Sequence, residues 1–225
     1  MLTTAIGDLL PLAVAVALSP IPIIAVIVML GTPKARTNGP AFAAGWVLGL
    51  AVVSAIVLVV AGGADDPDDA TSQGIDWGTL LIGLLFLAMA AKQWRQRPKA
   101  GEEATMPSWM ASVDHFTPGR SFVLGVALSG VNPKNLALTV AAMASVAQLG
   151  LSTGDEVAAV AVFVVLASVT VAGSVLFYLV ATDRATQALA PVKTFMANNN
   201  AVIMMVILII LGAKLIGNGL AGVAN

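Results

Sequence analysis

The stretch with the most chemistry in it is Asn132-Pro133-Lys134-Asn135, set inside a run from Ser121 to Gln148 that is otherwise apolar or small. A charge at the centre of a bilayer costs at least about 2.5 to 3.5 kcal/mol on insertion scales. A lysine there therefore needs a reason. With Asn132 and Asn135 beside it, the ammonium makes a donor set suited to an anion or a polar headgroup. The architectural alternative is that Lys134 caps carbonyls freed by a broken helix. A second stretch, Ser19-Pro20-Ile21-Pro22, interrupts the first apolar run in the same way. Proline has no amide proton and clashes with the preceding turn, and it pushes the residue before it out of helical geometry. Two prolines at i and i+2 predict two half-helices. Their freed carbonyls cannot face lipid, where each unsatisfied group costs several kcal/mol, so they must face protein or a wet cavity. A single proline would mean only a kink; matched interruptions in two runs favour a site. The candidate substrate-binding residues are Ser19, Pro20, Pro22, Ser129, Asn132, Pro133, Lys134 and Asn135.

The elements that must position these residues follow from composition. Of 225 residues, 58% are hydrophobic and 10% charged, with a mean hydropathy of +0.93. Soluble domains carry about 25% charged residues, so this chain cannot clothe a water-facing surface and reads as an all-α integral membrane protein. Six apolar runs approach the roughly 20 residues of a crossing. They are Leu12 to Leu30, Ala41 to Ala61, Ile75 to Ala91, Ser121 to Gln148, Val157 to Ala181 and Ala201 to Ile216. Trp77 and Trp94 flank the short third run as interfacial anchors. Residues 1 to 11 hold Asp8 and no Lys or Arg, so they read as the outer end of the first helix and not as a cleavable signal. Gly45 and Gly49 form a G-x-x-x-G that reads as helix packing, and Ser54, Thr139, Ser168, Thr170, Ser174 and Tyr178 read mainly as glue between helices.

The same residues exclude several functions. There is no cysteine and one histidine, His115, so thiol redox chemistry, disulfides and a His-ligated metal are not expected. No membrane-depth carboxylate pair, H-E-x-x-H or Ser-His dyad appears, nor a glycine-rich phosphate loop, so neither an enzyme nor a cofactor is expected. The Asp65-Asp66-Pro67-Asp68-Asp69 run does not match calcium-loop spacing and reads as a solvated loop. The net charge of -1 gives no steering toward nucleic acid.

Loop charge sets a topology. Basic residues fall after run 1 (Lys34, Arg36), run 3 (Lys92, Arg95, Arg97, Lys99, Arg120) and run 5 (Arg184, Lys193); the loops after runs 2 and 4 carry only acids, among them Asp155 and Glu156. Loops 1, 3 and 5 are therefore expected in the cytoplasm, with both termini outside. Val16-Ala17-Leu18-Ser19 recurs as Val126-Ala127-Leu128-Ser129, in the first span of each three-span half. An odd number of spans inserts the second half upside down, the inverted-repeat pattern of many transporters. The expected architecture is six transmembrane helices as two inverted three-helix repeats, 1–91 and 119–225, with helices 1 and 4 broken near mid-membrane. Residues 92–118 form a cytoplasmic linker, and Met106 to Met110 within it read as an interfacial segment.

Taken together, these motifs resemble the LysE superfamily of six-span inner-membrane exporters, and more closely its GAP branch of peptidoglycolipid and sulfolipid (Sap-like) addressing proteins. The residues that carry the resemblance are Ala17-Leu18-Ser19-Pro20-Ile21-Pro22, Ala91 to Pro98, Pro107-Ser108-Trp109, Thr117-Pro118-Gly119-Arg120, and Asn132-Pro133-Lys134-Asn135 with Gly125 ahead of it. The resemblance implies a bacterial inner-membrane protein that exports, or helps to export, a cell-envelope glycolipid or another small polar or anionic molecule, with spans 1 and 4 lining the path. Membrane lipids and such a solute are the expected partners, with a homo-oligomer or a larger envelope-lipid complex as the expected assembly. Two alternatives stay open: a non-transporting accessory subunit of an envelope-lipid synthesis or export complex, and an amino-acid exporter, since fold does not fix substrate.

Overall fold

Three helices open on a proline, the position where a missing amide and a fixed φ do no harm. They are α2 (Pro20–Leu30), α5 (Pro118–Val126) and α6 (Pro133–Ala147). The structure, a computed structural model, describes residues 1–62, 77–95, 97 and 108–220. The remaining long elements are α1 (Leu2–Ala17), α3 (Ala35–Gly62), α4 (Trp77–Arg95), α7 (Thr153–Val180) and α8 (Thr182–Leu220). A short 3-10 helix, Ser108–His115, precedes α5, and a π-type turn, Ala127–Val131, separates α5 from α6. No strand occurs among the described residues. Thr117, Asn132 and Ser152 cap α5, α6 and α7 by accepting from the amides of Arg120, Lys134 and Asp155. The Asp65 to Asp69 run, and most of the 92–118 linker, lie outside the described residues.

The chain is a multi-pass membrane protein. Ala35–Ala61, Trp77–Arg95, Thr153–Val180 and Thr182–Leu220 are each long and apolar enough to cross a bilayer, and α1 with α2, bent by 51° at their junction, makes a fifth if counted as one. Large aliphatics on α3 and α7 point outward, as lipid-facing positions do: Ile56, Val59, Val165 and Leu176 are all exposed. Trp77 and Trp94 stand exposed at the two ends of α4. The expected fourth span, Ser121 to Gln148, is built in three pieces, α5, the π turn and α6, and none of them alone has the length of a crossing.

One expectation is overturned. The basic segment before the last span, with Arg184 and Lys193, is not a loop; α8 runs unbroken for 39 residues through it, Pro191 included. Ala185 is buried and Leu189, Lys193 and Met196 are half-buried. These residues recur at steps of four, four and three, which is a single helical stripe. An apolar stripe that packs inward outweighs the one amide that Pro191 withholds.

The described elements form two compact units. One holds α1, α2, α3, α5, α6, α7 and α8 up to Ala197; the other holds α4 and α8 from Asn198. These boundaries do not coincide with the expected 1–91 and 119–225. Within the first unit α1 packs on α7 and α6, while α3 packs on α5, the π turn, α6 and α7. The α3–α5 contact is glycine on glycine: a Cβ at Gly45 would overlap the Phe122 carbonyl, and one at Gly125 would overlap the Phe42 carbonyl. This bears out the packing reading of Gly45 and Gly49. In the second unit, a Cβ on Gly83 of α4 would come within 2.8 Å of Ile216, and one on Gly212 within 2.9 Å of Leu87.

At one end of the first unit the start of α3 touches both the segment before α5 and the start of α8. Arg36 Nη2 donates to Thr182 Oγ1 at 3.3 Å, and Asn38 Nδ2 donates to the Phe116 carbonyl at 3.0 Å. The residues after α2, before α5 and before α8 are thereby tied together. Asp155 and Glu156 lie in the first turn of α7, at the opposite end of that helix from Thr182.

Overpacking a tight contact costs about 1 to 3 kcal/mol or more, so Gly125→Leu is expected to lower the detergent melting temperature and the folded yield sharply. Gly7→Ala, at a helical position with nothing within 4 Å, should be neutral or stabilising by about 0.5 to 1 kcal/mol. Equal melting temperatures for the two variants would contradict the glycine contact.

Candidate functional site

The site begins with a deficit. A helix that ends inside a protein leaves its last carbonyls without partners, and α1 ends where Pro20 and Pro22 have no amides to offer. Two carbonyls are served locally: the Leu18 amide donates to Val14 O at 2.9 Å and the Ser19 amide to Val16 O at 3.1 Å. The other two are served from distant parts of the chain. Lys134 Nζ donates to Ala15 O at 2.9 Å, and Thr170 Oγ1 of α7 donates to Ala17 O at 2.6 Å.

The second break has the same logic. The Asn132 amide reaches back five residues to Ala127 O at 2.9 Å, which makes the π turn. Asn135 Nδ2 donates to Leu128 O at 2.8 Å, and Ser129 Oγ to Val126 O at 3.2 Å. Asn132 Oδ1 accepts from the Lys134 amide at 3.1 Å and starts α6.

The two breaks are joined to each other. Ser19 Oγ donates to Asn135 Oδ1 at 2.8 Å and accepts from Lys134 Nζ at 2.7 Å. All three side chains are buried; Lys134 is 5% exposed and Asn135 fully enclosed. Both partners of the ammonium are neutral oxygens, and no carboxylate pairs with it among the described residues. Field direction explains the arrangement. At the start of α6 a cation sits at the positive end of its own helix, which is unfavourable; reaching across to the carbonyl end of α1 places it at a negative one.

Of the eight residues singled out in the sequence, Ser19, Lys134 and Asn135 are brought into direct contact. Asn132 is half-buried and serves as a helix cap. Pro20 and Pro22 are buried and shape the bend, while Pro133 is exposed. Ser129 is buried, but its hydroxyl turns to Val126 and packs under Gly49 of α3. The sequence repeat matched Ser19 to Ser129. The backbone matches Ser19 to Asn132, three residues further on: φ and ψ are -66° and 113° at Ser19, and -59° and 119° at Asn132, and a proline follows each. In that span the π turn, Ala127–Val131, continues past Ser129 before the break. Thr170 was read from the sequence only as helix glue. Its role follows from the unpaid carbonyl at Ala17, which needed a donor from a neighbouring span.

The sequence model of the family described as "Sap, sulfolipid-1-addressing protein" matches residues 9–221. No curated protein and no solved structure matches the chain.

Removing a donor from a buried acceptor costs about 1 to 3 kcal/mol. Thr170→Val is therefore expected to destabilise the detergent-solubilised protein by that amount. Ser19→Ala and Asn135→Ala should be non-additive, with a coupling of about 0.5 to 3 kcal/mol in a double-mutant cycle. Additive effects would mean that the two breaks are not linked through these side chains.

Proposed function

The chain belongs to the Sap, sulfolipid-1-addressing protein, family, and from that premise we propose that it is an inner-membrane exporter of a cell-envelope glycolipid or a related polar or anionic molecule. The six-span reading belongs to this proposal: α1 with α2 forms span 1, and α5, the π turn and α6 form span 4. The two three-helix repeats are inverted, as in the LysE superfamily that the sequence resembles. The packing supports it, because each broken span lies against the second span of the other half, α1 on α7 and α5 on α3. The end that gathers Arg36, Thr182 and Phe116 is the cytoplasmic face by the excess of basic residues in its connections, and both termini are outside.

The observation that carries the proposal is the Lys134 ammonium shared between two neutral oxygens, Ala15 O and Ser19 Oγ, with no carboxylate paired to it among the described residues. Its bonds hold the two broken spans together. An anionic headgroup entering between them offers the ammonium a stronger, charge-assisted acceptor. Exchange of the Ala15 carbonyl for that group removes one of the ties between α1 and α6, which lowers the cost of rocking the two repeats about the site. A ligand moves such an equilibrium only by its differential affinity for the two states, and the exchange supplies that difference. Ser54, Ser121 and Ser168 are buried with hydroxyls that have no hydrogen-bond partner among the described residues; they offer further hydrogen bonds to a polar group within the same unit.

The mutual satisfaction of Ser19, Lys134 and Asn135 is also what a permanent junction would have. It favours, as second reading, a non-transporting subunit of a larger lipid-export complex. Export separates the two. Lys134→Ala and Asn132→Ala, at normal protein level, are expected to lower surface display of the exported lipid by about tenfold or more, the loss of roughly 1.4 kcal/mol of differential binding. Lys134→Arg should retain part of it. Unimpaired export in Lys134→Ala would remove the site. Absence of transport by the purified wild-type protein in vesicles, with copurification of a large lipid transporter, would leave the accessory reading.

A further inference from the structure

A second polar feature lies away from the Lys134 junction. A cavity of about 300 Å³ opens where α2 and α7 end and the first part of α8 passes. Its walls are mostly apolar, with Ile27, Leu30 and Leu189 among them, and three side chains give it polarity: Tyr178, Thr186 and Lys193. Thr186 spends its proton on the Thr182 carbonyl at 2.9 Å. Lys193 is half-buried and has no hydrogen-bond or ion-pair partner among the described residues. Lys193 is the one charged side chain among the residues that line this cavity. Nothing in the packing of α8 demands it there, since a leucine would continue the stripe of Ala185 and Leu189.

Position adds a second argument. The cavity lies at the level where α2 stops at Leu30 and α7 at Val180, and Arg36 is bonded to Thr182 at the same end. In the topology proposed above this end faces the inner leaflet, which supplies anionic amphiphiles. The volume falls at the lower end of ligand pockets, enough for a headgroup and the first carbons of a chain.

We infer that this cavity binds an anionic amphiphile, its phosphate or sulfate on Lys193 and the adjoining chain against Ile27, Leu30 and Leu189. The inference deepens the export reading and rests on it for purpose, as the place where substrate loads from the inner leaflet before reaching Lys134. It replaces no role given to the junction. The specificity it confers is for one negative head joined to an apolar chain.

Tyr178 is the single tyrosine of the chain, so 3-fluorotyrosine incorporation puts one fluorine in the cavity wall. The purified protein in neutral detergent is titrated with dioctanoylphosphatidylglycerol, dioctanoylphosphatidylcholine and inorganic phosphate, and followed by fluorine NMR. The expected result is a saturable shift with the anionic lipid, at least tenfold weaker with the zwitterionic lipid and with phosphate. Lys193→Gln should weaken the anionic lipid about tenfold, and Lys193→Arg should restore it. No saturation, equal affinity for the zwitterionic lipid, or an unaffected Lys193→Gln overturns the inference. Equal affinity for inorganic phosphate overturns the amphiphile and leaves a bare anion site. The titration involves no transport, so its failure removes the loading site without touching the Lys134 export test, and failed export leaves a positive titration standing.

Discussion

One cation answering for one helix end governs the rest. The chain turns out of α1 at Ser19, whose amide bonds Val16 O in place of Ala15 O, and a carbonyl in a membrane protein cannot be left to lipid. Ala15 O is filled by Lys134 Nζ at 2.9 Å and Ala17 O by Thr170 Oγ1 at 2.6 Å. The lysine is the counterpart of the same constraint, because an ammonium buried to 5% exposure also needs partners. Each defect resolves the other. Neither half of the chain could carry its own defect alone, and that ties the halves together more strictly than apolar packing would.

The helices around the junction are arranged to bring it about. Gly45, Gly49 and Gly125 let α3 close on α5 and the π turn, which sets the height at which α6 begins. The π turn then rotates Asn132 into the cap position and leaves Leu128 O for Asn135. Asn135 in turn holds Ser19, and Ser19 accepts from Lys134. The bonds therefore form a chain from one charge through neutral dipoles to the Leu128 carbonyl.

Both breaks were legible in the sequence because proline acts locally: a missing amide has the same consequence in any fold. The packing role of Gly45 and Gly49 was legible for a similar reason. What could not be read was register. Ser129 repeats Ser19 in sequence, but the cap falls to Asn132, three residues further on, and only the backbone shows the shift. The segment from Thr182 to Asn200 was read as a loop because Arg184, Pro191 and Lys193 dominate its composition. Its stripe of Ala185, Leu189, Lys193 and Met196 spends one position in four on a lysine, so the apolar periodicity was masked. Thr170 was visible as a polar residue in a span, but its partner carbonyl lies 153 positions away, and no local pattern encodes that pairing.

The most direct measurement uses the absence of cysteine from the chain. Ser19→Cys with Asn135→Cys places two thiols where the structure has a 2.8 Å contact between side chains; Ser19→Cys with Leu136→Cys moves the second thiol to the adjacent, exposed position. Both pairs are treated in membranes with the shortest bis-methanethiosulfonate reagent. Efficient intramolecular bridging of the first pair and little of the second is what the account predicts. No bridging of the first pair, or equal bridging of both, would mean that the broken ends of α1 and α6 do not meet at Ser19 and Asn135.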